Sequence, residues 1–154
     1  MASRRGAIAL TEEEQTQYLE DGWTLQVASM GKDGFPHMVA MWYVLVDGKI
    51  CFTTFRKSQK ILNLRRDSKI TVMLEAGKKY QELTGLVIEG EGELVEDPEF
   101  TVKVMARIGE KYNGIPIPTE TPDQAVKAAS KRVVVRVNPT NIYSWDHRKL
   151  GGVY

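Results

Sequence analysis

Two glycine-bearing turns, Gly31-Lys32-Asp33-Gly34 and Asp47-Gly48, lie a strand's length apart, and that spacing most constrains what this chain can fold into. They separate runs rich in apolar and β-branched residues: Trp23 to Met30, Phe35 to Val46, and Ile50 to Phe55. Such pairs of Asp and Gly between strand-like runs are hairpin signals. The three runs are therefore expected to form an antiparallel meander, with Phe35 to Val46 as its long middle strand.

Beyond Phe55 the period changes. Lys57 to Asp67 has helical spacing, with Ile61, Leu62 and Leu64 apolar and Arg65-Arg66 in the last turn. Upstream, Thr11-Glu12-Glu13-Glu14 has capping-box form and starts a helix from Glu12 to about Leu19, stopped near Asp21-Gly22. Ile70 to Leu74 and Leu86 to Val95 read as strands, the second with Gly90 and Gly92 marking a bulge or strong coil. Asp97-Pro98-Glu99 opens a helix to about Tyr112. Asn113 to Pro122, with three prolines and a glycine, is a loop or lid. Asp123 to Ala129 forms a helical turn, Arg132 to Val137 a strand, and Asn141 to Trp145 extends the sheet past Pro139. Hairpins outnumber crossovers, so the fold class is α+β, a mainly antiparallel β-barrel with a few peripheral helices. At 154 residues, 42% hydrophobic and 27% charged, residues 1–154 make one domain, in which 1–22 is a helical N-terminal segment.

A net charge of +1 argues against nucleic-acid binding through bulk positive charge. The lone cysteine, Cys51, lies in an apolar run; it permits no disulfide within the chain and reads as a buried strand residue. Neither a signal peptide nor a membrane span is visible, so the cytoplasm is the expected location. Two histidines and one cysteine, widely spaced, offer no metal site. His147 beside Asp146 resembles an oriented base, yet no serine or cysteine nucleophile has an identifiable partner.

Chemistry concentrates where the strand at Phe52 gives way, within a few residues, to a helix with Ser58 at its N-cap. Helix N-termini combine unpaired N–H groups with the positive dipole end, a ready phosphate site. Thr54, Ser58, Gln59 and Lys60 add donors, and Arg56 or Lys57 supplements them. A solvated basic helix start has the same spacing, and the residues alone leave both readings open.

The run Asp33-Gly34-Phe35-Pro36-His37, then Trp42-Tyr43, then Phe52-x-Thr54-x-x-x-Ser58-x-Lys60-x-x-Asn63-Leu64-Arg65-Arg66-Asp67 resembles the pyridoxamine-phosphate-oxidase-like family of FMN-binding split β-barrels. Gly90-Glu91-Gly92-Glu93 resembles that family's central strand, and Ser144-Trp145-Asp146-His147 the tail of its deazaflavin-using branch, the coenzyme F420-dependent reductases of actinobacteria. The resemblance spans Trp23 to Trp145. It implies a homodimer with two cofactor sites at the subunit interface. By the same resemblance, Val39, Ala40, Met41 and Trp42 lie along the tricyclic ring. Thr54, Ser58, Gln59 and Lys60 hold the tail phosphate with Thr53 beside them. Thr84, Gly85, Trp145 and Lys149 come from the partner subunit. The chain departs from the classical oxidases in ending Lys149-Leu150-Gly151-Gly152-Val153-Tyr154 rather than in an Arg-Leu-x-Pro type of tail, which puts vitamin-B6 oxidation in doubt.

The function so implied is hydride transfer from reduced F420 to an electrophilic small molecule such as an enone, lactone or quinone. No single catalytic side chain is then required; Tyr43, His37 and Tyr143 are candidate proton donors, and the Asn113 to Pro122 loop a candidate lid. Arg56, Lys57, Lys60, Arg65 and Arg66 would line a basic groove suited to the acidic F420 tail, whereas FMN needs only the local cradle. An FMN-dependent oxidoreductase, a cofactor-binding module without turnover, and a nucleic-acid or heme-binding relative are the alternatives.

Overall fold

The computed structural model describes residues 3–152. A single helical turn, α1 (Arg4–Ala7), precedes α2 (Glu12–Asp21), which carries the expected capping box: the Glu14 amide donates to Thr11 Oγ1 and the Thr11 amide to Glu14 Oε2. Then come β1 (Leu25–Met30), β2 (Pro36–Met41), β3 (Val44–Val46) and β4 (Lys49–Phe55), followed by α3 (Gln59–Arg66) and β5 (Lys69–Ala76). After a 3-10 turn at Tyr80–Glu82 follow β6 (Thr84–Val95), α4 (Pro98–Asn113), α5 (Asp123–Ala129), the long β7 (Arg132–Asp146) and a last 3-10 turn at His147–Leu150.

The seven strands form one antiparallel sheet in the order β2-β1-β5-β6-β7-β4-β3. This is an α+β split barrel, as the sequence implies. The meander is not what forms, however. Phe35 to Val46 is two strands, and they stand at opposite ends of the strand order. The break is at Trp42-Tyr43, and Tyr43 explains it. Its ring is fully buried, its hydroxyl donates to the Leu19 carbonyl at 2.5 Å, and its backbone N–H donates to the Tyr112 hydroxyl at 3.1 Å. These contacts draw the backbone out of the ladder, so β1-β2 and β3-β4 are separate hairpins flanking the split.

The barrel interior is filled by Leu25, Val27, Phe52, Val72, Val133 and Val135, and closed by Ile61 and Leu64 of α3. A second cluster, Val44, Val46, Cys51, Val104 and Val134, seals α4 against the outside of β3, β4 and β7. Covered on both sides, β4 is buried from Ile50 through Thr54. Cys51 lies in this second cluster, and burial pushes its thiol pKa up, which suits packing rather than nucleophilic chemistry. A bulge does occur beside Gly90: Glu89 pairs with Asn141 and Gly90 with Pro139, leaving Thr140 as the extra residue. It places Pro139, which has no N–H to give the ladder, at the irregularity, so the two expected terminal strands are one. A side chain at residue 90 would strike the Asn138 carbonyl.

Candidate cofactor site

At the corner between β4 and α3, Ser58 holds the N-cap position but makes no capping hydrogen bond with its side chain. The Ile61 and Leu62 amides both turn to the Ser58 carbonyl at 3.1 Å, which leaves the Gln59 and Lys60 amides without carbonyl partners. Lys60 Nζ donates to Thr54 Oγ1 at 2.9 Å, and Thr54 donates in turn to Ser58 Oγ at 3.2 Å. Because Ser58 accepts from Thr54, its own proton is available to an anion. Burial holds the Lys60 ammonium below the usual lysine pKa. One ammonium, one hydroxyl and two amides thus sit at the positive end of a helix dipole, a donor set that fits a phosphate.

Two expected members of this corner lie elsewhere. Gln59 turns along the helix, donating to Asn63 Oδ1 at 2.9 Å, and Asn63 donates to Ser29 Oγ at 3.0 Å, so its amide serves a buried structural link to β1. Thr53 faces away because successive strand side chains alternate. The basic groove is also reduced. Arg56 and Arg65 both bind Glu96, and Arg66 donates to the Met30 carbonyl, leaving Lys57 and Lys60 as the cations of that group with no carboxylate or carbonyl partner among the described residues.

On the other face of β4, Thr53 opens into a cavity of about 610 Å³ between the split and α4. Ala40, Met41 and Trp42 line it, together with Met105, Ile108, Gly109 and Asn113 of α4 and Arg132 of β7. Val39 is not among them; it packs against the barrel core. Trp42 stacks on Tyr112 with centroids 4.5 Å apart and planes 12° from parallel, and Trp23 meets the same ring edge-on at 5.3 Å. The Tyr112 hydroxyl fixes this platform by donating to the Trp23 carbonyl at 2.6 Å. Arg132 and Tyr112 escaped the sequence reading. The spacing of Met105, Ile108, Gly109 and Tyr112 along one helical face was the available signal. The Asn113 to Pro122 loop starts at the cavity rim but does not roof it: Ile117 lies over a different groove with Leu19 and Leu45.

The remaining expected residues cluster at the far end of β7. Gly85 pairs with Trp145, whose indole occupies the space a side chain at 85 would need. Thr84 Oγ1 and the Tyr18 hydroxyl share a hydrogen bond of 2.9 Å, while Lys149 Nζ donates to the Ala9 carbonyl and pairs with Glu14. Thr53 pairs with Val134, eleven positions before Trp145, or roughly 35 Å of strand contour. Within one chain the two groups do not share a site. Of the proton-donor candidates, Tyr43 is excluded, since burial drives its phenol pKa far up and its hydroxyl is taken by Leu19. His37 lies beside Gln59 and Asn63 with Nδ1 buried and unpartnered. Tyr143 stands about half exposed near Trp145.

A family model described as pyridoxamine 5'-phosphate oxidase matches residues 11–146. The chain belongs to that family. Among solved structures it is similar to a conserved hypothetical protein from Mycobacterium tuberculosis, 39% identical over 99% of this chain and 95% of that one, with a TM-score of 0.90. It shares its fold with an F420 reductase (24% identical, 82% of this chain and 93% of that one, TM-score 0.63). The same holds for an FAD-binding protein from Mesorhizobium loti (17%, 88% and 94%, 0.67). No curated protein matches. Among the described residues, no helix is long and apolar enough to cross a membrane, and no cluster of His, Cys, Asp and Glu could hold a metal.

Proposed function

We propose that this family member is a homodimeric F420-dependent reductase that delivers hydride to an electrophilic conjugated carbonyl compound. The observation that carries the reading is the Thr54–Ser58–Lys60 chain beside two unpartnered helix amides, which suits a cofactor's phosphate. Ala40, Met41 and Trp42 line the cavity on the other face of β4 and offer an apolar wall to a flat hydride acceptor. Thr84, Gly85, Trp145 and Lys149 would complete the site from the partner subunit, which agrees with their distance from the corner in one chain. The choice of F420 rests on the sequence resemblance around Ser144-Trp145-Asp146-His147.

When bound, the cofactor supplies the hydride. The protein's share is placement: Lys60 and the Gln59 and Lys60 amides neutralise the phosphate, Ser58 donates a hydrogen bond, and the apolar cavity excludes water from the acceptor.

One observation favours FMN as the second reading. With Arg56 and Arg65 bound to Glu96, the basic surface is a local cradle rather than a groove for an acidic tail. Parallel titrations of the purified protein with F420 and FMN decide between them. Tight FMN binding with no measurable F420 binding overturns the preferred assignment. Binding without any acceptor reduced faster than by free cofactor would leave only a carrier module.

A further inference from the structure

We propose that the cavity between α4 and the Thr53 face of β4 binds a flat conjugated molecule bearing a single carboxylate, anchored by Arg132. The arginines around it are committed. Arg56 and Arg65 bind Glu96, and Arg136, four residues further along the same face of β7, binds Glu93 at 3.2 Å. Among the described residues Arg132 has no carboxylate partner and no side-chain hydrogen bond. Its guanidinium instead lies over the Phe55 ring, 4.4 Å from the centroid. That contact uses the guanidinium's π-face and none of its N–H groups, and those N–H donors are what arginine uses to grip a carboxylate with two parallel bonds.

The rest of the wall sets the ligand's shape. Met105, Ile108 and Ala40 are apolar, and Thr53 and Asn113 are neutral polar groups. Trp42 gives one face to Tyr112 and remains about half exposed, so its other face is open to a planar partner. One cation in an otherwise uncharged cavity matches a monoanion rather than a phosphate, which has its own donors at the Ser58 corner. The C-terminal end of α4, beside Trp42, disfavours negative charge, so the acid belongs at Arg132 and the conjugated body against Trp42. That this ligand is the hydride acceptor rests on the reductase reading; its binding in the cavity does not.

Calorimetry on the cofactor-free full chain, with trans-cinnamate and its neutral isostere trans-cinnamamide as probes, tests the proposal. Wild type should bind the acid about tenfold or more tightly than the amide. Arg132→Gln should bind both equally, and Arg132→Lys should keep part of the preference. Equal affinities in wild type, no binding of either probe, or a preference that survives in Arg132→Gln would overturn the assignment. So would an Arg132→Gln that weakens FMN or F420 binding while leaving the two probes as in wild type. Loss of all cofactor binding with the acid preference intact would sink the reductase reading alone. Lys60→Ala should leave that preference unchanged.

Discussion

Thr53 and Thr54 are adjacent in sequence and both buried, yet they serve regions of opposite character. Thr54 is the middle of a pre-formed polar chain, accepting from Lys60 and donating to Ser58. Thr53 lines an apolar cavity whose one cation, Arg132, lies over an aromatic ring and has no carboxylate partner among the described residues. The difference follows from strand alternation between two layers, α3 on one side and α4 on the other. The polar corner is organised before any ligand arrives, so its ordering cost is met in folding, whereas the cavity selects mainly by shape and a single charge.

The largest effect should come from breaking the polar side. Lys60→Ala is expected to weaken binding of both FMN and F420 by roughly 10- to 100-fold, the range for losing one charge-assisted contact to phosphate, with the fold unchanged by circular dichroism. Unaltered affinity for both cofactors would show that the corner is ordinary surface. Its pH dependence sharpens the point. Burial lowers the Lys60 pKa in the free protein, and a bound phosphate raises it again. Cofactor affinity should therefore be flat near neutrality and fall as pH climbs toward the lysine range, with proton uptake on binding. Over the same window the unfolded chain holds the proton longer than the free folded one, so this group makes the cofactor-free protein more stable as pH rises. Opposite slopes in affinity and apo stability, both removed in Lys60→Ala, are the expected signature.

How much of this was legible in the sequence differs between the two sides. The corner was readable because its residues are local: Thr54, Ser58 and Lys60 lie within seven positions, and a strand-to-helix switch is visible in the period. The cavity was not, because its walls come from β2, β4, α4 and β7, and only the folded sheet sets Arg132 opposite Phe55. Tertiary contacts also overrode local pattern at Tyr43, where a run with unbroken strand character was split by a buried phenol. Gln59 misled for a related reason, since nothing in its neighbourhood announces Ser29 as the end of its hydrogen-bonded link. The far group, Thr84 to Lys149, was placed by resemblance alone, and its own chain gives it structural work around Tyr18 and Glu14.

A smaller loss is expected for Thr54→Val, which keeps the shape but removes both the acceptor for Lys60 and the donor to Ser58. With Lys60 still present, cofactor affinity should fall by about tenfold or less. Tyr112→Phe probes the other side. The Trp42 stack survives, but the Trp23 carbonyl and the Tyr43 amide lose a shared partner, at about 1 kcal/mol in denaturant unfolding. Its cofactor affinity should match wild type at the phosphate corner, because the Tyr112 ring packs on Trp23 and Trp42.

The smallest effect is the most discriminating. Thr53→Val swaps a hydroxyl for a methyl at a buried position that makes no side-chain hydrogen bond among the described residues, so stability should change by no more than about 0.5 kcal/mol. If the two faces of β4 are functionally separate, phosphate-dependent affinity should not change either, one residue away from a substitution that costs up to tenfold. A drop in FMN and F420 affinity equal to that of Thr54→Val would mean the strand is displaced as a unit, and the two faces would then be one site. An unchanged cofactor affinity with altered cinnamate binding would instead put the Thr53 hydroxyl in the cavity's ligand contacts and keep the faces apart.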